Sequence, residues 1–210
     1  MNLSTKTWLA AGAAVIVVGS GAAALSQTTP FTSNPAEVRA GTYVLDPNHG
    51  KITFEVSHLG FSTYVGQFTN VAATLTIDPA DPAAGSLTAT VPIADVQTTT
   101  AGLNAHLQTA DFFDAAQFPT GTFTATSIVV DADDASEATV TGDLTLRGVT
   151  RPVTLEVEFN QAGEFGGGYR IGFDGETTIR RSEFGINYGI PMGLSDEVEL
   201  HLEGEFLRQG

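Results

Sequence analysis

The chain contains no cysteine, a single tryptophan, and nine Lys and Arg against twenty-four Asp and Glu in 210 residues. The missing thiol excludes a disulfide framework, a thiolate metal site and a lipidated Cys anchor. The shortage of cations, at a formal net charge of −15, excludes nucleic acid as a partner, because such binding runs on Lys and Arg neutralising phosphates. A nucleophile elbow, an H-E-x-x-H pair, a P-loop and a spaced carboxylate signature are absent as well. Gly166-Gly167-Gly168 is not followed by a helical pattern that could turn its N-terminus on a phosphate, so it is a flexible turn. No catalytic residue, metal site or resident cofactor is therefore expected. At this length a β-rich chain forms one domain.

Long apolar runs are missing apart from one at the N-terminus. Lys6 and the free amine precede Trp8–Leu25, an uncharged stretch that ends near Ala22-Ala23-Ala24. A short positive region, an apolar run and a small-residue triplet predict a signal peptide over 1–26 and a periplasmic or secreted protein. The competing reading is a retained membrane anchor, but as a helix the run would reach roughly 27 Å against a hydrocarbon core of ~30 Å. The Ser, Thr, Pro and Asn that follow predict a linker over 27–41, with a single β domain over 42–210.

What the chain has in quantity is alternation. Apolar residues recur with period two along Ile52–His58, Val71–Ile77, Leu87–Ile93, Val153–Phe159 and Val198–Phe206. Two more strands run over roughly Thr120–Val130 and Glu137–Leu146. Between them the connections are short: Asp78–Pro82, a tight turn at Gly148, and the triple glycine. The acidic loop Asp131–Asp134 lacks the regular ligand positions and bidentate Glu of a calcium loop, and is expected to be a solvated turn. The pattern predicts an all-β, antiparallel fold of about eight strands, which must hide one apolar face by closing into a barrel or folding into a sandwich. Ala73, Ala89, Ala125, Ala138 and Gly142 lie among the large inward residues, which suggests an underfilled interior.

One island breaks the alternation. From Asn104 to Phe123 an Asn, a His, two Asp and four Phe crowd into a segment containing Phe118-Pro119, and it is expected to form a short helical lid. Adjacent rings diverge by roughly 100° in a helical turn, so one of Phe112 and Phe113 should face the interior and the other the wall. Asp111 and Asp114 are expected to cap local backbone N–H groups rather than act as an acid–base pair. Among the histidines, His201 falls on the polar phase, and His58 lies on the apolar phase at a strand end. His49 and His58 would be roughly 30 Å apart on an unbroken strand, which precludes a shared metal unless a bulge intervenes. Arg180 and Arg181 face opposite ways on an extended segment. One is expected to pair with Glu183 or Glu176 and the other to be available to a polar head group.

YVLDPNHGKITFEVSHLGFSTYVGQF, HLQTADFFDAAQFPTGTF, GDLTLRGVTRPV, RSEFGIN and SDEVEL occur in this order. Together they resemble the YceI-like family of lipocalin-like, polyisoprenoid-binding periplasmic proteins, over almost everything from Thr42 to Phe206. Two places depart from its usual pattern: Gly50 after His49, where Ser is frequent, and Leu103-Asn104-Ala105 before His106, where a basic–acidic pair is common. The resemblance implies a lipocalin-like eight-stranded antiparallel barrel whose tunnel takes a long-chain isoprenoid or other amphiphilic lipid, such as an isoprenoid quinone. The expected ligand-contacting residues are Phe54, His58, Val91, His106, Phe112, Phe113, Phe123, Leu155, Ile171 and Arg181. The acidic surface favours a neutral quinone-like or amide head over a phosphate. A homodimer and a membrane donor or acceptor protein are conceivable partners. The alternatives are an enzyme acting on a lipid in the tunnel and a ligand-free structural or stress module with a filled barrel.

Overall fold

The structure is a computed structural model that describes residues 31–210. The expected signal peptide and the first residues of the linker lie outside the described residues. In chain order the elements are β1 (Phe31–Thr32), β2 (Gly41–His58), β3 (Ser62–Phe68), β4 (Ala72–Ile77), β5 (Ser86–Pro92), β6 (Val96–Gln97), α1 (Ala101–Leu107), β7 (Thr120–Val130), β8 (Glu137–Leu146), β9 (Val149–Phe165), β10 (Gly168–Arg180) and β11 (Glu197–Arg208). Every pairing is antiparallel, as the short connections require. The order β11-β10-β9-β8-β7-β5-β4-β2 closes through β11 against β2, giving an eight-stranded barrel. β3 and β6 extend the wall beside the second half of β2.

The expected linker is not free where it is described. Phe31 and Thr32 pair with Gly163 and Ala162 of β9, and Val38 is buried in the core. Arg39 lies 4.2 Å from the centroid of the Tyr169 ring, while its backbone carbonyl accepts a 2.5 Å bond from the Tyr43 hydroxyl. Burial raises the Tyr43 phenol to about 12, so it stays a donor at physiological pH.

Three irregularities bend the strands round the barrel, and the sequence pattern shows them as shifts of phase. In β7 the register slips between Ala125 and Ser127, so the inward set passes from Phe123 and Ala125 to Ile128 and Val130. β9 skips Asn160, which moves its inward set from Phe159 to Ala162. The largest lies in β2. Gly50 pairs with Gly204 and Leu45 with Phe206, so Asp46–His49 stand opposite Glu205 alone. The strand carrying His49 and His58 is thus broken: His49 joins a cluster at the bulge and His58 ends the strand.

That bulge decides where the barrel is full. Leu45 folds inward over two glycines, and a Cβ on Gly50 would meet its Cδ2 at 2.5 Å. Asp46, 6 % exposed, accepts from Arg170 at 2.8 Å, from the Asn48 backbone N–H at 3.0 Å, and lies 3.0 Å from His49 Nδ1. The Arg170 bond above all, then those of Asn48 and His49, holds its carboxyl far below the usual carboxylate range. Around this corner Tyr43, Leu75, Tyr169, Ile171 and Phe206 form one buried core, and Phe54, Phe68, Ile93, Phe112, Phe184 and Val198 form a second at the other end. Phe159, Phe173 and Phe206 lie across the barrel between the ends, with successive centroids 5.6 and 6.2 Å apart.

Candidate functional site

The half of the barrel above these three rings is hollow. Its cavity of about 410 Å³ is lined almost wholly by apolar side chains from Leu87, Leu155 and Leu202 at the floor to Leu103, Phe112 and Phe113 under the lid. That volume falls within the ~300–1,000 Å³ of small-molecule sites. The hollow follows from residue size: Ala89 contributes one methyl to the lining, and the Phe123 ring lies over Gly142, where a Cβ would approach Cζ to 2.4 Å.

The lid is held by identifiable contacts. Thr100 caps α1 by accepting from the Leu103 N–H at 3.2 Å, and the Asn104 carbonyl-type oxygen accepts from both the N–H and the hydroxyl of Thr98. After α1 the chain turns through Thr109–Phe118. His106 Nε2 lies 2.8 Å from Asp111 Oδ2, and its ring stands edge-on to Phe112 and Tyr188, with centroids 5.1 and 4.9 Å away. Arg147 completes the clasp by donating to Gly185 O at 2.5 Å and Ala110 O at 2.7 Å.

Nine of the ten sequence-predicted residues line this cavity; Ile171 does not. It is 1 % exposed in the filled core beyond the aromatic floor. Its alternation gives the inward face, but not the depth along the barrel, and the cavity stops short of it. Phe112 and Phe113 both reach the cavity, instead of dividing between cavity and wall. Phe112 does so from the His106–Tyr188 cluster, and Phe113 from an edge contact with Phe68 at 5.6 Å. The lid is not a continuous helix there, so the 100° rule for neighbours does not apply.

Two polar expectations need correction. Asp111 caps no backbone N–H and is the partner of His106, while buried Asp114 accepts from the Gln117 side chain at 2.7 Å. Arg180 pairs with Glu197, not with Glu183 or Glu176. Arg181 borders the cavity, but four of its five N–H donors are occupied: Nε bonds Ser195 O at 2.7 Å, Nη1 bonds Ile186 O and Tyr188 O at 3.1 and 2.8 Å, and Nη2 bonds Leu194 O at 3.3 Å. Burial draws its pKa down, with Asp196 opposing. It is the organiser of the 185–195 loop, a role invisible in sequence because every acceptor is a backbone carbonyl.

Solvent meets the cavity where its lining is polar. His58, Tyr64, His106 and Tyr188 stand there beside Leu194. Thr99 bonds the Tyr64 hydroxyl at 2.7 Å, which lowers the phenol pKa. Among the described residues His58 and the Tyr188 hydroxyl have no side-chain hydrogen-bond partner, so these two polar groups can turn to a ligand. Sequence reasoning missed Tyr64 and Tyr188. Tyr64 shared the apolar phase of its strand with Gly66 and Phe68 and could have been found; Tyr188 lies in an irregular loop with no periodicity to reveal it.

Residues 43–206 match the model of the YceI-like domain. A UPF0312 protein of Vibrio cholerae is 36 % identical over 95 % of this chain and 97 % of its own, and protein YceI of Escherichia coli is 38 % identical over 81 % and 88 %. Among solved structures, Burkholderia cenocepacia BcnA superposes with a TM-score of 0.69 at 27 % identity, covering 77 % of this chain and 98 % of that one. The Campylobacter jejuni YceI protein superposes at 0.63 and 31 %, covering 73 % and 90 %. A polyisoprenoid binding domain from Saccharophagus degradans shares the fold at 0.59 and 14 %, covering 81 % and 100 %. The match of the family model across the whole barrel, with relatives at this level over most of both chains, places the chain in the YceI-like family.

Proposed function

We propose that this protein binds one long-chain isoprenoid or similar amphiphilic lipid, tail first, and carries or sequesters it outside the cytoplasm. The observation that carries the reading is the blind apolar cavity with its polar groups gathered at the mouth. The S. degradans relative, a polyisoprenoid binding domain on the same fold, adds support for the tail chemistry. Each buried methylene contributes about 0.8 kcal/mol, so a five-carbon isoprene unit adds roughly 4 kcal/mol of gross affinity before ordering costs. Affinity should therefore climb steeply with the first units and level off once the tail reaches the aromatic floor. His58 and Tyr188 orient a head that accepts or donates hydrogen bonds, and neither carries a fixed charge. That favours a quinone-like or amide head.

Extraction of the purified protein followed by mass spectrometry tests this. A co-purified prenyl lipid unchanged after incubation is the expected result. Chemically altered lipid would make the protein an enzyme, with the His106–Asp111 pair as its acid–base group. No lipid and no uptake would overturn both readings and leave a structural module.

A further inference from the structure

Three segments meet at the open end of the cavity: 56–68, 96–110 and 184–195. They total forty residues and contain no Asp, Glu, Lys or Arg. At the chain's 16 % of charged residues, forty positions would hold about six. Of the charges near these segments, Arg147 and Arg181 are engaged on backbone carbonyls, Asp111 on His106 and Asp196 on Ser182, while Glu55, Asp95 and Glu183 adjoin the segment ends. A chain of net charge −15 thus has one end built from three uncharged segments.

That end projects apolar side chains. Phe61 is 88 % exposed, Met192 65 %, Leu59 43 % and Tyr188 41 %. The two loops that carry them adjoin, since His58 bridges Leu194, Ser195 N–H donates to Ser57 O at 3.0 Å, and a Cβ on Gly193 would lie 3.1 Å from Leu59 Cδ2. Leu59 also sits where turn geometry argues against it. With φ of 59° at Leu59 and 75° at Gly60, and Phe61 N–H bonded to His58 O, the turn is of the type that selects Asn, Asp or Gly at its first central position. A branched apolar residue there is unfavourable for the turn and is left exposed, so its presence answers to something other than folding.

We propose that this rim docks end-on on a neutral or zwitterionic lipid bilayer, so that ligand passes between membrane and cavity without crossing water. The proposal rests on the lipid-binding reading above. Tyr188 belongs both to the rim and to the cavity lining, so apolar surface runs unbroken from the tip to the binding site. The acidic body repels anionic head groups and a second acidic copy alike, while the uncharged end does not. Four partly exposed side chains make a shallow insertion, suited to reversible contact rather than permanent anchoring.

A chain beginning at Phe31 keeps every strand and both cores described above and, lacking Trp8, has no tryptophan. Phe61→Trp in this background is a clean probe. The expected result is a blue-shifted emission with phosphatidylcholine vesicles and a smaller shift when a quarter of the lipid is phosphatidylglycerol. Phe61→Ser with Met192→Ser should lower co-sedimentation with phosphatidylcholine vesicles roughly tenfold, the scale of one aromatic side chain left in water. Thermal unfolding and uptake of an ethanol-dispersed prenyl quinone should not change. No vesicle binding by the unsubstituted chain, equal binding by the double variant, stronger binding to anionic vesicles, or rim-dependent self-association without lipid would each overturn the proposal. Loss of dispersed-quinone uptake alone, with rim-dependent vesicle binding intact, would sink the cavity reading and support docking.

Discussion

The two halves of this barrel are built from the same strands and differ in what the strands carry inward. At and below the Phe159–Phe173–Phe206 rings, β2, β9, β10 and β11 deliver Tyr43, Leu45, Ala162, Ile171 and Phe206 into one volume, and the Asp46 bulge folds the wall over it. Above the rings the same strands carry Ile52, Leu155, Ile179 and Leu200, while β5 brings only Ala89 beside its larger neighbours. A closed sheet of eight strands is near the width at which side chains just fill it, so a few small residues decide between a plug and a pocket. Both halves carry a buried core, but only the upper one also leaves room for a ligand.

The most disruptive way to break this contrast is to remove a ring from the floor. Phe206→Ala should cost about 3–5 kcal/mol of stability, the range for deleting a buried aromatic, readable as a lower denaturation midpoint. In the surviving folded protein the preferred tail should lengthen, because the floor has opened. Unchanged stability and unchanged chain-length preference would mean that the rings do not separate the halves.

The reverse experiment fills the hollow half. Ala89→Trp directs an indole from a cavity-lining position into the void, so it should lower ligand affinity about a hundredfold, close to 3 kcal/mol, and change thermal stability far less than the same insertion into a filled core would. Titration calorimetry beside a melting curve separates this from simple damage, in which affinity and stability would fall together.

Truncating the lid tests the roof. Phe113→Ala and Phe112→Ala should each weaken lipid binding by about 1–3 kcal/mol, since both rings reach the cavity. Phe112→Ala should also loosen the 185–195 loop, because its ring packs on Tyr188, and limited proteolysis would show it. Asp111→Asn keeps the size and should leave affinity nearly unchanged. A large loss there, beside small losses at the rings, would move the function to the His106–Asp111 pair.

The smallest effect belongs to the polar corner of the filled half. The Asp46 carboxyl is held below its ordinary value of 3.8 by Arg170, Asn48 and His49. Its contribution to stability is therefore whole above that value and is lost as pH falls below it towards the depressed one. Asp46→Asn should melt lower than the parent at pH 7 and converge with it as the solution is acidified. Glu205, 3.0 Å from Arg170, still balances the guanidinium and keeps the difference modest. Ligand affinity should not follow this titration, because the corner lies beyond the floor.

Local chemistry settled much of this protein from the sequence alone. Alternation located the strands, the tight turn at Gly148 and the triple glycine located the hairpins, and the break in period at Asn104–Phe123 marked the lid, although α1 begins at Ala101 and the last residues of that island open β7 at Thr120, because side-chain direction along a strand is a local property with period two. The same alternation assigned inward faces correctly, even for Ile171. What it could not supply was depth along the barrel axis. Whether an inward residue meets a plug or a void depends on residues from other strands at the same height, and that height is set by how the bulges at Asp46–His49, Thr126 and Asn160 shift the register between strands, which only the paired sheet reveals. Polar partners were hidden for a related reason. Arg181 satisfies its donors on carbonyls of a loop five to fourteen residues away, and backbone carbonyls look alike in every sequence, so the tertiary fold alone decided that this arginine builds the mouth of the cavity.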